Sequence, residues 1–220
     1  MIRYLSYKLS SLLPVYGLRE EKMELRQINS INKGDVYETF YIGLQNHWGT
    51  HVDCPAHFFV DGMRVADYEA EFWLFRKPQV FSINLEPGQI VCRKDLTEAI
   101  NPETDLLLLQ SGWSKLRGTE IYSLQNPGID PLLGVWLREE YPLLRAIGFD
   151  WISLSSYKHR ELGRDAHRSF LNPQGKGHPI LIIEDMDMSE DMQNLREVLV
   201  LPLRIEGIDS APCTVIGVFE

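Results

Sequence analysis

The sequence predicts an α/β chain of the α+β type: a mixed, barrel-like β-sheet with short helices packed on one side. Three observations lead there. Short apolar runs such as Asp105 to Gln110 (DLLLLQ) and Pro179 to Ile183 (PILII) recur along the chain and fit buried strands bounded by turn residues. Helical spacing is confined to a few segments, and strands and helices do not alternate strictly, which argues against a doubly wound sheet. The 220 residues, 44% of them hydrophobic, show no repeat, low-complexity tract or linker, so one domain spanning 1–220 is expected.

Taken in order, Ile2 to Leu5 reads as an edge strand, and Pro14-Val15-Tyr16-Gly17 as a turn. Tyr16 is either a surface loop residue or the wall of a pocket. The spacing of Met23, Leu25 and Ile28 does not choose between strand and helix, whereas Val36 to Leu44 (VYETFYIGL) is β-branched and aromatic and reads as a strand. Asp61-Gly62 makes a turn, and Tyr68 to Phe75 (YEAEFWLF) reads as a short helix or irregular cover whose aromatics belong to the core. Gln79 to Leu85 is a strand, Lys94 to Ile100 a brief helix begun near Asp95, and Ser111-Gly112-Trp113 the exit from the Asp105 to Gln110 strand. Pro131 to Ile147 is helical until Pro142 breaks or kinks it. Phe149 to Leu154 is a strand, Glu161 to Leu171 a loop entering a helix, and Val198 to Ile205 and Pro212 to Phe219 are two closing strands.

Charge and composition narrow the partners. A formal charge of −9 disfavours nucleic acid, which requires basic patches. No apolar run approaches the roughly 18 to 20 residues that span a bilayer, and the N-terminus, with Arg3 and Lys8, lacks a signal-peptide apolar region. A cytoplasmic protein acting on a small molecule is expected. Cys54, Cys92 and Cys213 are odd in number and without a CxxC pair, so neither a disulfide framework nor a thiolate zinc site is indicated.

The chemistry concentrates in His47-Trp48-Gly49-Thr50-His51-Val52-Asp53-Cys54-Pro55-Ala56-His57. An extended backbone places His47, His51 and Asp53 on one face, with His57 just past Pro55. A helix would also pair His47 with His51, but Gly49 and Pro55 oppose it. Imidazoles with a carboxylate suit zinc, manganese or iron. Three ligands make half a site, so further donors are expected. His167 stands at a helix start, and Glu184 ends a strand of buried residue types, where an inward carboxylate must be paired, protonated or metal-bound. His159 and His178 read as ordinary hydrogen-bonded or exposed histidines, and Cys54, on the face opposite Asp53, reads as packing. Phe58, Phe59 and Trp113 would form an apolar wall that dries the site.

The pattern His-x-Gly-Thr-His-x-Asp-x-Pro-x-His resembles the signature of the metal-dependent cyclase family, which includes bacterial kynurenine formamidases and isatin hydrolases. The likeness extends to Pro14-Val15-Tyr16-Gly17, Gly148-Phe149-Asp150 and Ala211-Pro212. It implies a swivelling β/β/α fold in which His47, His51, Asp53, His167 and Glu184 bind one or two divalent metal ions, zinc ahead of manganese. The long interval before Glu184 makes His178 the alternative to His167. His57 would be the general acid/base, and Tyr16 would line the substrate pocket together with Phe58 and Trp113. The implied activity is hydrolysis of a C–N amide bond, in an arylformamide such as N-formylkynurenine or in a cyclic imide, by metal-activated water. The rivals are a non-hydrolytic cyclase or dehydratase on the same metal site and a non-catalytic metal or small-molecule binder. A homo-oligomer, dimer or tetramer, is also implied.

Overall fold

Every side chain of the Leu106 to Leu109 run is buried, and alternate leucines belong to two different cores: Leu107 and Leu109 to one, Leu106 and Leu108 to the other. A strand covered on both faces has no reason to alternate apolar with polar, which explains the unbroken apolar run. The computed structural model describes all residues except 11, 13, 19, 21 and 97.

In chain order the first strands are β1 (Ile2–Tyr4), β2 (Glu24–Asn29), β3 (Thr39–Gly43), β4 (His51–Asp53), β5 (Leu74–Phe75) and β6 (Pro78–Ser82). Then come β7 (Ile90–Val91), β8 (Leu106–Gln110), helix α1 (Glu120–Leu124), β9 (Gly128–Ile129), α2 (Pro131–Glu140) and β10 (Ala146–Phe149). Helix α3 (Arg160–Leu171), β11 (Leu181–Glu184), β12 (Leu195–Pro202) and β13 (Ser210–Phe219) complete the chain. The main sheet is mixed and barrel-like, in the order β5-β12-β13-β4-β11-β10-β8-β6 with β1 added on β13. Its β6, β8, β10 and β11 neighbours are parallel, while β4 runs antiparallel to both β11 and β13.

Two cores follow from the pleat. On one side Leu107, Leu109, Ile147 and Ile182 pack beneath α2 and α3, whose Leu133, Leu137, Ala166 and Phe170 face them. On the other side Leu106, Leu108, Leu181 and Ile183 join Val52, Cys54, Val198 and Val215. The short helices therefore lie on one side of the sheet, as expected, and Cys54 packs in the core as read. No helix among the described residues is long and apolar enough to cross a membrane.

Several local expectations change. Glu24–Asn29 pairs with Thr39–Gly43 as a hairpin, which decides the ambiguous segment as strand and shortens the strand expected over Val36 to Leu44. The helix expected over Lys94 to Ile100 is a single 3-10 turn, Arg93–Asp95, closed where the Asp95 carboxylate accepts from the Cys92 amide at 2.7 Å; Thr97 lies outside the described residues. The strand placed at Phe149 to Leu154 is Ala146–Phe149 instead. Asp150 ends it, because its carboxylate accepts from the amides of Ser111 and Gly112 at 2.9 and 2.8 Å, and the chain leaves the ladder there.

Candidate active site

The parity that separates the two cores also gathers the polar groups. Val52 and Cys54 point to the barrel side, so His51 and Asp53 of β4 point to the helix side. In β11, Leu181 and Ile183 go to the barrel side, leaving Glu184 with Ile182 on the helix side. The antiparallel register sets Glu184 opposite His51 and Ile182 opposite Asp53. Helix α3 crosses this face and supplies His167.

The four groups form a ring. His51 Nε2 lies 3.5 Å from Asp53 Oδ1 and 3.4 Å from Glu184 Oε2. His167 Nε2 lies 3.7 Å from Asp53 Oδ2 and 3.5 Å from Glu184 Oε1. All four side chains are at least nine-tenths buried. Each imidazole is held from behind, His51 Nδ1 on the Gly49 carbonyl and His167 Nδ1 on the Gly163 carbonyl, both at 2.8 Å. Donation of the Nδ1 proton to a carbonyl leaves Nε2 as a lone-pair donor facing the ring. Two glycines permit this. Gly49 takes a φ of 63°, and a Cβ on Gly163 would stand 2.2 Å from Ser155 Oγ, so α3 reaches the loop only with glycine there. Glu184 Oε1 accepts from the Leu154 amide at 2.7 Å and the Ser153 hydroxyl at 3.3 Å.

His51 Nε2 and Asp53 Oδ1 are buried without a hydrogen-bond partner. Such orphaned groups are costly unless another species satisfies them. A cation held by nitrogen and oxygen ligands at about 2.0 to 2.2 Å puts neighbouring tetrahedral donors about 3.3 to 3.6 Å apart, which matches the distances from His51 Nε2 to Asp53 Oδ1 and to Glu184 Oε2; these three residues have donor atoms close enough to share an ion, and His167 closes the ring behind them. The donor set fits a divalent metal.

Beside this ring stands a wetter one. His47 Nδ1 is 3.1 Å from Asp53 Oδ1, and its Nε2 meets Asp209 at 3.2 Å and the Ser210 hydroxyl at 2.9 Å. His57 Nδ1 contacts the same Asp209 carboxylate at 2.7 Å, and Asn46 Nδ2 donates to its other oxygen at 2.8 Å. His47, Asp53 and His57 have donor atoms close enough to share a second ion, with Asp53 common to both groups. Electrostatics follow the contacts. Burial alone would lower the His47 pKa, but the Asp53 and Asp209 carboxylates lift it to about 10. Although burial favours its neutral form, Glu184 is held at about 2 by the His167 and His51 imidazoles that face it. Asp53 likewise overcomes burial through His47 and His51 and lies well below the usual carboxylate range.

After Glu184 the backbone turns sharply, with Asp185 at a φ of 52°. That left-handed conformation is unfavourable for a residue with a side chain. Asp185 is held in it by Arg117, which donates twice at 3.0 and 2.7 Å, and by the Tyr122 hydroxyl.

The rings lie in a cavity of about 550 Å³ lined also by Tyr16, Phe58, Tyr157, Arg160 and Arg164. Tyr16 meets Tyr157 edge to face at 5.4 Å, and Phe58 stacks on His167 at 5.1 Å. Trp113 does not line it: it is buried in the helix-side core with its indole N–H donating to the Leu85 carbonyl at 3.3 Å. Its place after a strand end suggested a pocket, but the left-handed Gly112 directs the chain into a turn whose apolar ring is absorbed by the core. Phe59 also packs against that core. His47 was expected on a continuous strand with His51, yet β4 begins only at His51 because Gly49 breaks the extended backbone. His178, the alternative to His167, contacts the Leu144 carbonyl at 2.8 Å outside the cavity. Asp209 was missed. Its signal was slight, a single carboxylate between Gly207 and an apolar strand; the pairing of Ser210 with Asp53 brings it to the site.

The cyclase family model matches residues 4–156. The chain belongs to the cyclase family. It is 26% identical over 173 residues to the kynurenine formamidase of Geobacillus thermodenitrificans, covering 78% of this chain and 75% of that one. It is 23% identical over 215 residues to cyclase-like protein 2 of Oryza sativa subsp. japonica, covering 91% and 72%. Among solved structures, isatin hydrolase A from Labrenzia aggregata superposes with a TM-score of 0.79 at 21% identity, covering 100% of this chain and 94% of that one. A structure described as a potential metal-dependent hydrolase with cyclase activity gives 0.76 at 17% identity, covering 99% and 96%. Likenesses at such identity speak for the shared fold. The family match ends before His167, Glu184 and Asp209, which the cyclase fold of this chain brings back to the segment it does cover.

Proposed function

We propose that this cyclase-family chain is a metal-dependent amidohydrolase that cleaves a C–N bond in an arylformamide, such as N-formylkynurenine, or in a cyclic imide or amide. The observation that carries the reading is the buried ring of His51, His167, Asp53 and Glu184, with two orphaned donor atoms at the floor of a ligand-sized cavity. The formamidase and isatin hydrolase relatives support the same chemistry. His51, His167, Asp53 and Glu184 would hold one divalent ion, and His47 with Asp53 a second, zinc being favoured over manganese by the imidazole content. When bound, the ion lowers the pKa of water toward neutrality and polarises a carbonyl.

The chain's own groups divide the remaining work. Asp209 fixes the His57 imidazole through Nδ1, leaving Nε2 to accept a proton from water and return it to the leaving nitrogen. Asn46 and Ser210 keep the Asp209 carboxylate and His47 in register. Phe58, stacked on His167, and Tyr16 with Tyr157 keep bulk water from the reacting carbonyl.

The β2–β3 hairpin leaves Leu25, Val36, Phe40 and Ile42 more than half exposed or close to it and pairs with no other described strand, which supports self-association as a dimer or tetramer. Light scattering would read the mass. Free Cys54, Cys92 and Cys213 fit a reducing, cytoplasmic setting.

The test combines elemental analysis with turnover of N-formylkynurenine and isatin in ¹⁸O-labelled water. Bound metal with solvent oxygen in the acid product is expected. Turnover without label incorporation would favour a cyclase or dehydratase, and metal without turnover of any amide would favour a binding protein.

A further inference from the structure

The cavity has a second chemical character at its mouth. Helix α3 places Arg160, Arg164 and His167 on one stripe, four and three residues apart, and all three line the cavity. At 1.5 Å per residue, Arg164 starts about 4.5 Å and Arg160 about 10 Å farther along the helix axis than the metal-facing imidazole. The cavity's carboxylates, Asp53, Glu184 and Asp185, are committed: the first two face the imidazoles and the third is bound by Arg117. Arg160 has no ion-pair partner among the described residues, and its guanidinium rests 4.8 Å from the centre of the Tyr157 ring. Among the described residues Arg164 pairs only with exposed Glu161 one turn away, an interaction a ligand can displace at little cost. A chain of net charge −9 thus presents two cations at the entrance to its site, set beside the Tyr16–Tyr157 aromatic pair.

We propose that Arg160 and Arg164 select a substrate carrying a carboxylate on a short chain beyond an aryl ring, on the side away from the scissile amide carbonyl, with that ring lodged against Tyr16 and Tyr157. This rests on the amidohydrolase reading and narrows it: the substrate is an acidic, open-chain aryl amide rather than a neutral cyclic imide. The guanidinium fork matches a planar carboxylate in two hydrogen bonds, and the place of Arg160 over the Tyr157 ring favours the side chain's staying at the cavity.

Two measurements on the metal-loaded protein test it. The first compares kcat/KM for formanilide with that for a formanilide bearing a ring-linked propionate. The carboxylated compound is expected to be favoured by about tenfold or more, with the difference in KM, and the ratio to collapse toward one in the Arg160→Gln, Arg164→Gln double variant. In Arg164→Glu the preference should turn toward the matching amine-bearing formanilide. The second measures binding of 4-phenylbutyrate against 4-phenylbutanamide by calorimetry, which needs no turnover; the acid should bind more tightly in an arginine-dependent manner. Equal use of the two formanilides, or a preference that survives the double variant, overturns the carboxylate selection while leaving the hydrolase reading standing. Arginine-dependent binding of the acid without hydrolysis of either amide does the reverse.

Discussion

The two rings that share Asp53 are built from the same residue types and live in different surroundings. In the inner ring His51, His167 and Glu184 are 5 to 6% exposed; in the outer one His47, His57 and Asp209 are 27 to 30% exposed. Buried donors have no water to turn to, and their spacing suits a cation. The outer groups touch solvent and one another, and a proton can move through them. Burial limits the inner ring to the proposed role of ligand, whereas the outer ring has room for both a proposed ligand, His47, and the proposed acid/base, His57.

Removing an inner donor should break that contrast most severely. Glu184→Ala leaves His51 and His167 facing an uncompensated gap, and the expected result is loss of bound metal, loss of turnover and destabilisation of about 3 kcal/mol or more, read by elemental analysis and denaturant unfolding. His57→Ala should lower kcat about 10² to 10⁴-fold while metal content stays at the wild-type value. A parallel loss of metal would move His57 into the ligand set. Asp209→Asn should cost less, about 10 to 100-fold in kcat/KM, since the imidazole remains but its orientation weakens.

The smallest effect is on pH dependence. In metal-free protein the raised His47 pKa contributes stability that is complete below 6.5 and is lost as pH rises through about 10. The depressed Glu184 pKa contributes stability that is present above 4.5 and is lost as pH falls toward about 2. Thermal unfolding of the metal-free chain should therefore show the network's contribution greatest between pH 4.5 and 6.5. Because the cation must displace imidazole protons, the gain in Tm on adding zinc should grow from acid toward neutral pH; a gain independent of pH would mean the histidines are not ligands.

How much of this could be read beforehand differs residue by residue. The apolar runs in β8 and β11 announce doubly buried strands because both faces lose water, and the one-sided helices follow from the few segments with helical spacing. The helix expected near Asp95 failed because a side-chain carboxylate closed a single turn, a competition that local propensity does not resolve. Trp113 looked like pocket lining because it follows a strand end, but the core had room for its ring.

The eleven residues from His47 to His57 determine by themselves what chemistry is available: imidazoles and a carboxylate gathered so densely suit metal binding and proton transfer. The sequence also determines face, since parity along β4 and β11 assigns His51, Asp53 and Glu184 to one side. Only the tertiary structure decides which groups meet. His167, Glu184 and Asp209 arrive through an α3 crossing, an antiparallel register and a strand start, each set by packing of apolar neighbours far from the site. Distance along the chain carries no trace of that closure, and Asp209, with no pattern around it, was invisible until β13 paired with β4.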